Sequence, residues 1–275
     1  MRAEDAALVA ALCRSRAGLR HAPAKAYLVE SRLGTLARRM SFESVADLLA
    51  AIRTAREEPL IWAMVEAMAA GETAFFRDRE PFRLFGEAVI PRLSRARAGR
   101  PIRVWSAACA TGQEIYSLAM IADELAAADP AVRVELAASD LSAYALERAQ
   151  SGLYNQFEVQ RGLPIRRLVR YFEKAGEDWR LVDAIRKKVR WRRINLIAGV
   201  RAVGRFDVVF CRYVLSAMTE EAQRKVLEDL TFVLPEDGYL VLGKDEVVPA
   251  AAEIFQPAPG QPGFYTQNPA FRAAA

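Results

Sequence analysis

Histidine is nearly absent from this chain: His21 is the only one in 275 residues. A single histidine disfavours a serine–histidine triad and a histidine-rich metal centre as the basis of its chemistry. Cysteine is scarce as well. Cys13, Cys109 and Cys211 are widely separated and show no metal-ligand spacing, and two of them fall in or beside apolar stretches where a thiol packs as a small hydrophobe. No apolar run approaches the roughly 18 residues of a membrane span. Met1 to Asp5 lacks the apolar region of a signal peptide, so the chain reads as cytoplasmic and not membrane-inserted. Excess charge of one sign is also small: 39 basic against 34 acidic residues give a net +5. That suits an acidic partner but is too little to argue for nucleic acid without a basic stripe carrying aromatic platforms. At 52% hydrophobic and 27% charged, the composition is that of a globular protein.

The most informative stretch runs from Arg103 to Met120. Ile102 to Ala107 is a short apolar run suited to a buried parallel strand. The small residues Ser106 to Ala110 lead to Thr111-Gly112, and a helix begins near Gln113 with Ile115, Leu118, Ala119 and Ile121 on one face. Strand, small-residue turn and helix form the opening unit of a nucleotide-cofactor fold, because small side chains let a ligand approach the backbone. The full G-x-G-x-x-G pattern is missing, and Glu114 stands at the helix start. An acid there favours a cationic ligand group over a pyrophosphate.

Residues 1–70 read as a helical domain, with a helix start at Ser41-Phe42-Glu43-Ser44 and arginines 14, 16, 20, 32, 38 and 39 available as a docking face. Residues 71–101 read as a linker and lid that includes a helix after Pro81. From residue 102 to 275 strand and helix alternate. Strands are expected at Val132–Ala138, Val189–Leu196, Phe206–Cys211 and Tyr239–Gly243, with a last edge strand at Gly263–Thr266. Helices are expected at Ser142–Gln150 and Glu220–Leu234. This alternation implies an α/β fold with a doubly wound, mostly parallel sheet. A small β insert, about 171–193, interrupts it with a short strand at Trp179–Val182. The basic run Arg186 to Arg193 marks either a wet strand face or a groove for an acidic partner. Ligands of such sheets bind at the carboxyl ends of the strands, where Ala108 to Glu114, Asp140, Asn195 and Arg212 all fall. At that position Asp140 is suited to accept hydrogen bonds from both hydroxyls of a ribose.

With these residues in view, the chain resembles the chemotaxis receptor methyltransferase (CheR) family. G-E-T-A-F-F-R-D resembles the family's N-x-T-x-F-F-R-[DE], and W-S-A-A-C-A-T-G-Q-E-x-Y-S-L-A resembles W-S-A-x-C-S-T-G-E-E-P-Y-S-L-A. A-S-D-L-S and F-D-V-V-F-C-R resemble the following blocks in order. The resemblance implies a class I (Rossmann-like) S-adenosylmethionine-dependent methyltransferase that esterifies glutamate side chains on chemoreceptor cytoplasmic helices. It implies cofactor contacts from Gly71, Thr73, Arg77, Glu114, Asp140, Asn195, Leu196, Cys211 and Arg212. Arg77 would stand near the reacting centre, and the Arg14–Arg20 region would meet the acidic receptor helices. Tyr213, a departure from the family, is expected at that centre as a substitute hydroxyl for the tyrosine replaced by Ala217. The loop at Lys174 to Asp178 is shorter than in members that grip a receptor's tether peptide, so no tether binding is expected.

The departures cluster at the acceptor end. The family's N-V-x-I-Y-F-D is Tyr213-Val214-Leu215-Ser216-Ala217-Met218-Thr219 here, so its asparagine is replaced by Tyr213 and its active-site tyrosine by Ala217. Its S-E-N is Asp245-Glu246-Val247, and its first-motif asparagine is Gly71. Two main readings remain: an active protein-glutamate methyltransferase, or a cofactor-binding module that docks or senses without transfer. An S-adenosylmethionine enzyme with a non-receptor acceptor is weaker, because the basic N-terminal region fits an acidic helix. A nucleic-acid methyltransferase is disfavoured, since no N-P-P-[YF]-like motif follows the fourth strand.

Overall fold

The computed structural model of the chain describes residues 2–20, 26–246 and 251–274. His21 and Val247 lie outside the described residues. Four helices come first: α1 (Ala3–Ala17), α2 (Ala26–Arg39), α3 (Val45–Ala55) and α4 (Glu58–Ala69). Ser44, the last residue of the expected start Ser41-Phe42-Glu43-Ser44, caps α3 by accepting a hydrogen bond from the Asp47 amide at 3.2 Å. Val9, Cys13, Leu33, Leu48 and Met64 close an apolar cluster of their own between these helices. α1 ends at Gly18, whose φ of +65° supplies the left-handed cap.

The main sheet has seven strands: β1 (Ile102–Ala107), β2 (Val134–Asp140), β6 (Val189–Arg193), β7 (Val208–Phe210), β8 (Tyr239–Val241), β9 (Phe255–Pro257) and β10 (Phe264–Gln267). Their order is β6-β2-β1-β7-β8-β10-β9. β1 is parallel to both β2 and β7, so the order reverses beside it and opens a crevice at the strand ends. Period-two alternation divides the core. Val104, Val208, Phe210 and Val241 face one apolar layer, and Trp105, Val209, Cys211 and Leu240 face the other.

Several boundaries differ from the sequence expectation. Residues 71–101 do not form a linker. Phe75, Phe82, Phe85, Val89 and Leu93 are buried in the sheet's own core, and each such burial contributes about 1.5–3 kcal/mol, so this segment is integral to the α/β unit. Within it, helical turns at Glu80–Leu84 and Ile90–Ala96 flank a π-helical turn at Phe85–Val89. A Cβ on Gly86 would lie 3.0 Å from Ile121, so the glycine permits a close crossing with the helix Gln113–Ala128. The insert begins earlier than expected. β3 (Leu153–Tyr154), β4 (Phe172–Ala175) and β5 (Asp178–Leu181) form a separate antiparallel sheet ordered β3-β5-β4. β10 is not an edge strand, because β9 pairs antiparallel outside it. β6 stops at Arg193, where Asn195 turns the chain into a 3-10 turn.

Candidate active site

At the carboxyl ends of β1, β2, β6 and β7 the structure holds a cavity of about 350 Å³. Its walls bring together Gly71, Thr73, Arg77, Glu114, Asp140, Asn195, Leu196, Arg212 and Tyr213, residues spread over most of the chain. Cys211 does not join them. It is fully buried one residue earlier, on the far face of β7, and burial pushes its thiol well above the usual range. Cys109 is the cysteine on the cavity wall. Alternation along the strand explains the difference, since Cys211 and Arg212 point to opposite sides.

The turn after β1 follows a backbone path that ordinary residues rarely take. Ala108, Ala110 and Gly112 have φ values of +59°, +48° and +93°, a left-handed sequence that must be held by its surroundings. The Ala110 amide donates to Asp140 Oδ2 at 2.8 Å, the Cys109 amide to the Ser139 carbonyl at 2.8 Å, and the Tyr154 hydroxyl to the Thr111 carbonyl at 2.7 Å. A Cβ on Gly112 would meet Ala149 at 3.0 Å and the Tyr154 hydroxyl at 3.1 Å, so glycine is required there. The insert thus buttresses the turn from behind.

Asp140 is the last residue of β2. Its Oδ1 accepts the Ser142 amide at 2.9 Å and its Oδ2 the Ala110 amide. Each oxygen keeps one lone pair, the arrangement needed to accept two vicinal hydroxyls. Desolvation by burial raises its pKa, only partly offset by those backbone donors. Ser142 caps the following helix, Ala143–Ser151, so Asp140 is free to serve the cavity.

Glu114 extends from the first turn of its helix into the same space. Its Oε1 accepts the Ser106 hydroxyl at 2.8 Å and its Oε2 accepts Arg212 Nη1 at 3.0 Å. Arg212 is almost wholly enclosed, with its side chain 2% exposed. It also donates Nη2 to the Arg77 carbonyl at 2.9 Å and to Asp78 Oδ2 at 2.5 Å. Two carboxylates balance one buried guanidinium, which leaves the cluster net negative. Arg212 Nε is buried with no partner among the described residues.

The other expected contacts are placed with more specific roles. Asn195 donates its amide to the Arg16 carbonyl at 2.6 Å, and its Oδ1 accepts the Ile197 amide at 3.3 Å. Its side chain is therefore used to tie α1 to the cavity floor. Arg77 donates to the Glu72 carbonyl at 2.8 Å and lies 3.7 Å from the centre of the Tyr213 ring. The Tyr213 hydroxyl is hydrogen-bonded to Asp78. At Gly71 a Cβ would meet nothing within 4 Å, so this glycine leaves open space at the rim.

Four contributors have no role in the sequence reading. Asp78 joins Arg212 and Tyr213. Glu246 accepts the amides of Tyr213 at 2.7 Å, Gly243 at 2.9 Å and Ser216 at 3.1 Å, binding the loops after β7 and β8 together. Ala17 and Leu19 bring the helical unit to the cavity wall. Leu19 forms an antiparallel bridge with Met218, the Arg20 amide donates to the Ala217 carbonyl at 2.7 Å, and the Thr219 amide to the Gly18 carbonyl at 2.8 Å. The aspartate of F-F-R-[DE] and the glutamate of S-E-N are the signals that could have pointed to the first two.

Most of the basic run is satisfied internally. Arg186 and Lys187 pair with Asp183, Lys188 with Asp123, and Arg193 with Glu66. No helix among the described residues is long and apolar enough to cross a membrane, and no group of histidine, cysteine and carboxylate side chains among them could hold a metal ion.

The donor set suits S-adenosylmethionine: a ribose acceptor at Asp140, a carboxylate for an ammonium at Glu114, a small-residue turn for close approach and an enclosed donor at Arg212. Comparison with known proteins leads to the same ligand. The family described as "CheR methyltransferase, SAM binding domain" matches residues 71–264. Chemotaxis protein methyltransferase 1 of Pseudomonas aeruginosa is 38% identical over 243 residues, covering 87% of this chain and 88% of that protein. Chemotaxis protein methyltransferase Cher2 of Pseudomonas putida is 35% identical over 247 residues, covering 88% and 90%. The solved structure of PKMT2 from Rickettsia typhi in complex with AdoHcy overlaps only loosely, with a TM-score of 0.37 at 18% identity over 62% of this chain and 26% of that one. With the family matched over residues 71–264, which carry most of the cavity wall, and relatives aligned over most of their length, the chain belongs to the CheR methyltransferase family and carries its S-adenosylmethionine-binding domain.

Proposed function

We propose that this protein transfers a methyl group from S-adenosylmethionine to glutamate side chains on the cytoplasmic helices of chemoreceptors, leaving glutamyl methyl esters. What carries the reading is the convergence of Thr73, Arg77, Glu114, Asp140, Arg212 and Tyr213 on one cavity. The bound cofactor supplies an activated methyl on a sulfonium. The acceptor oxygen forms the new bond to that carbon while the carbon–sulfur bond breaks and its electron pair stays on sulfur, leaving S-adenosylhomocysteine.

This chemistry asks little of the protein beyond placement. A glutamate side chain has a pKa near 4.3, so it is already ionised at neutral pH and needs no general base. Asp140 holds the ribose, Glu114 the ammonium, and Thr73, Leu196 and the Ala108–Ala110 turn close around the cofactor. Arg77 orients the acceptor carboxylate through its free N–H groups. The Ala217 position supplies no hydroxyl, and none is needed for an acceptor that is already anionic. Arg14 on exposed α1 begins the receptor-facing surface. Its neighbours are more constrained: Arg16 pairs with Glu58, and Arg20 donates to the Ser216 carbonyl. Only Gly176 and Glu177 separate β4 from β5, which supports docking without a tether peptide.

The test is incubation with methyl-labelled S-adenosylmethionine and a chemoreceptor cytoplasmic fragment. Base-labile label on glutamate is the expected product. Cofactor binding without any transfer would instead favour the docking or sensing module.

A further inference from the structure

Tyr213 stands where the family's motif carries asparagine, and its surroundings define a task for it. One face of its ring lies on Gly243: a Cβ there would fall 2.7 Å from Cε1 and 2.8 Å from Cδ1 and Cζ. On the ring, 3.7 Å from its centre, lies the Arg77 guanidinium. The hydroxyl is hydrogen-bonded to Asp78, whose same oxygen accepts Arg212 Nη2 at 2.5 Å, and it accepts the Lys244 amide at 3.1 Å. The backbone has a φ of +61°, unusual for an aromatic residue, and its amide is held by Glu246 at 2.7 Å. Tyr213 is therefore fixed through its amide, ring face and hydroxyl. Burial and then Asp78 raise its pKa, which keeps the hydroxyl protonated as a donor.

We propose that Tyr213 is a positioning residue: anchored by Gly243 and Asp78, its ring sets the plane of Arg77, and its hydroxyl does not touch the acceptor. This rests on the acceptor-orienting role given to Arg77 above. Of the five N–H donors of a guanidinium, Arg77 spends one on the Glu72 carbonyl among the described residues. A flat aromatic surface fixes a guanidinium without consuming its donors. An asparagine at this position would offer no such surface.

The experiment measures S-adenosylmethionine affinity by calorimetry and transfer kinetics to a receptor cytoplasmic fragment, on the full chain, for Tyr213→Phe, Tyr213→Leu, Arg77→Ala and the Arg77→Ala/Tyr213→Leu double variant. Loss of a cation–aromatic stack predicts that Tyr213→Leu lowers kcat/KM for the receptor about 10-fold while cofactor affinity changes less than about 3-fold. Tyr213→Phe, which keeps the ring, turns over at least about 5-fold faster than Tyr213→Leu. The double variant falls within about 2-fold of Arg77→Ala alone, because the tyrosine acts through the arginine. Additive losses, equal damage by Phe and Leu, or a cofactor affinity that falls in step with transfer would each overturn the inference. Undiminished transfer by Arg77→Ala would overturn the underlying reading of Arg77 and is a separate outcome. Should Tyr213→Leu fail to fold, Gly243→Ala, whose methyl displaces the ring, carries the same expectation and the same reversal.

Discussion

Cys109 sits on the wall of the cofactor cavity, yet its environment makes it a poor nucleophile. Burial, then Asp140 and Glu114, push its thiol well above the usual range. Burial alone pushes Cys13 up to about 12, and Cys211 is held high by burial and two nearby carboxylates. Since the thiolate is the reactive form, the folded protein at neutral pH is expected to resist an aromatic disulfide reagent. All three thiols should react only as fast as the chain unfolds. Rapid modification of one thiol in the native protein would contradict this. At the same scale, Glu114 and Asp140 were legible because each follows directly from a strand end or helix start next to small residues. Asp78 and Glu246 were less legible. Their partners, Arg212 and the Tyr213 amide, are brought close only by the fold. Tyr213 was recognised as a departure from the family, but its stacking on Arg77 depends on Gly243 and could not be read from spacing.

Elements were legible wherever hydrophobic period and capping agreed, as in β1 and its helix. They were misjudged where a tertiary surface replaced those signals. The stretch 71–101 reads as a linker and lid, whereas the core of the sheet buries its Phe75, Phe82 and Phe85. Asn195 reads as the end of a strand, whereas it lies beyond β6 on the cavity wall, where it caps a turn and grips α1. Within the helical unit Asp5 provides a pH-dependent contact. It is buried, paired with Arg53 and bonded to Arg2 at 3.2 Å. The hydrogen bond from Arg2, followed by the remaining arginine interactions, lowers its pKa against the opposing effect of burial. A carboxylate with a depressed folded pKa stabilises the fold above its unfolded value near 3.9, and that contribution is lost as pH falls through the lower folded value. Asp5→Asn is therefore expected to cost about 1–2 kcal/mol at pH 7, seen as a lower Tm. The difference from the parent should shrink as pH falls below the unfolded value and through the lower folded one. A deficit independent of pH would show that packing, not charge, is what the aspartate contributes.

In the whole molecule, the cavity belongs to both units. Ala17, Leu19 and Ala69 come from the helices, while the polar contacts come from the sheet and from Thr73 and Arg77. The bridge from Leu19 to Met218 joins α1 to the loop that carries the acceptor-end departures. Gly18 is essential to that approach, since a Cβ there would lie 2.5 Å from Ala222. Glu66 of α4 adds a second tie by accepting the Ser142 hydroxyl at 3.0 Å and Arg193 at 2.6 Å. The helical unit and the cavity at the sheet's edge are thus connected through a short, well-bonded path. The central claim is that this shared cavity holds S-adenosylmethionine with Asp140 on the ribose. Calorimetric titration of the cofactor into the full chain and into Asp140→Ala, with thermal unfolding to confirm that both are folded, tests it most directly. The account predicts one equivalent bound by the parent and a loss of about 10- to 100-fold in affinity for the variant, the scale of losing hydrogen bonds to a charged acceptor. Equal affinity of the two folded proteins would contradict it.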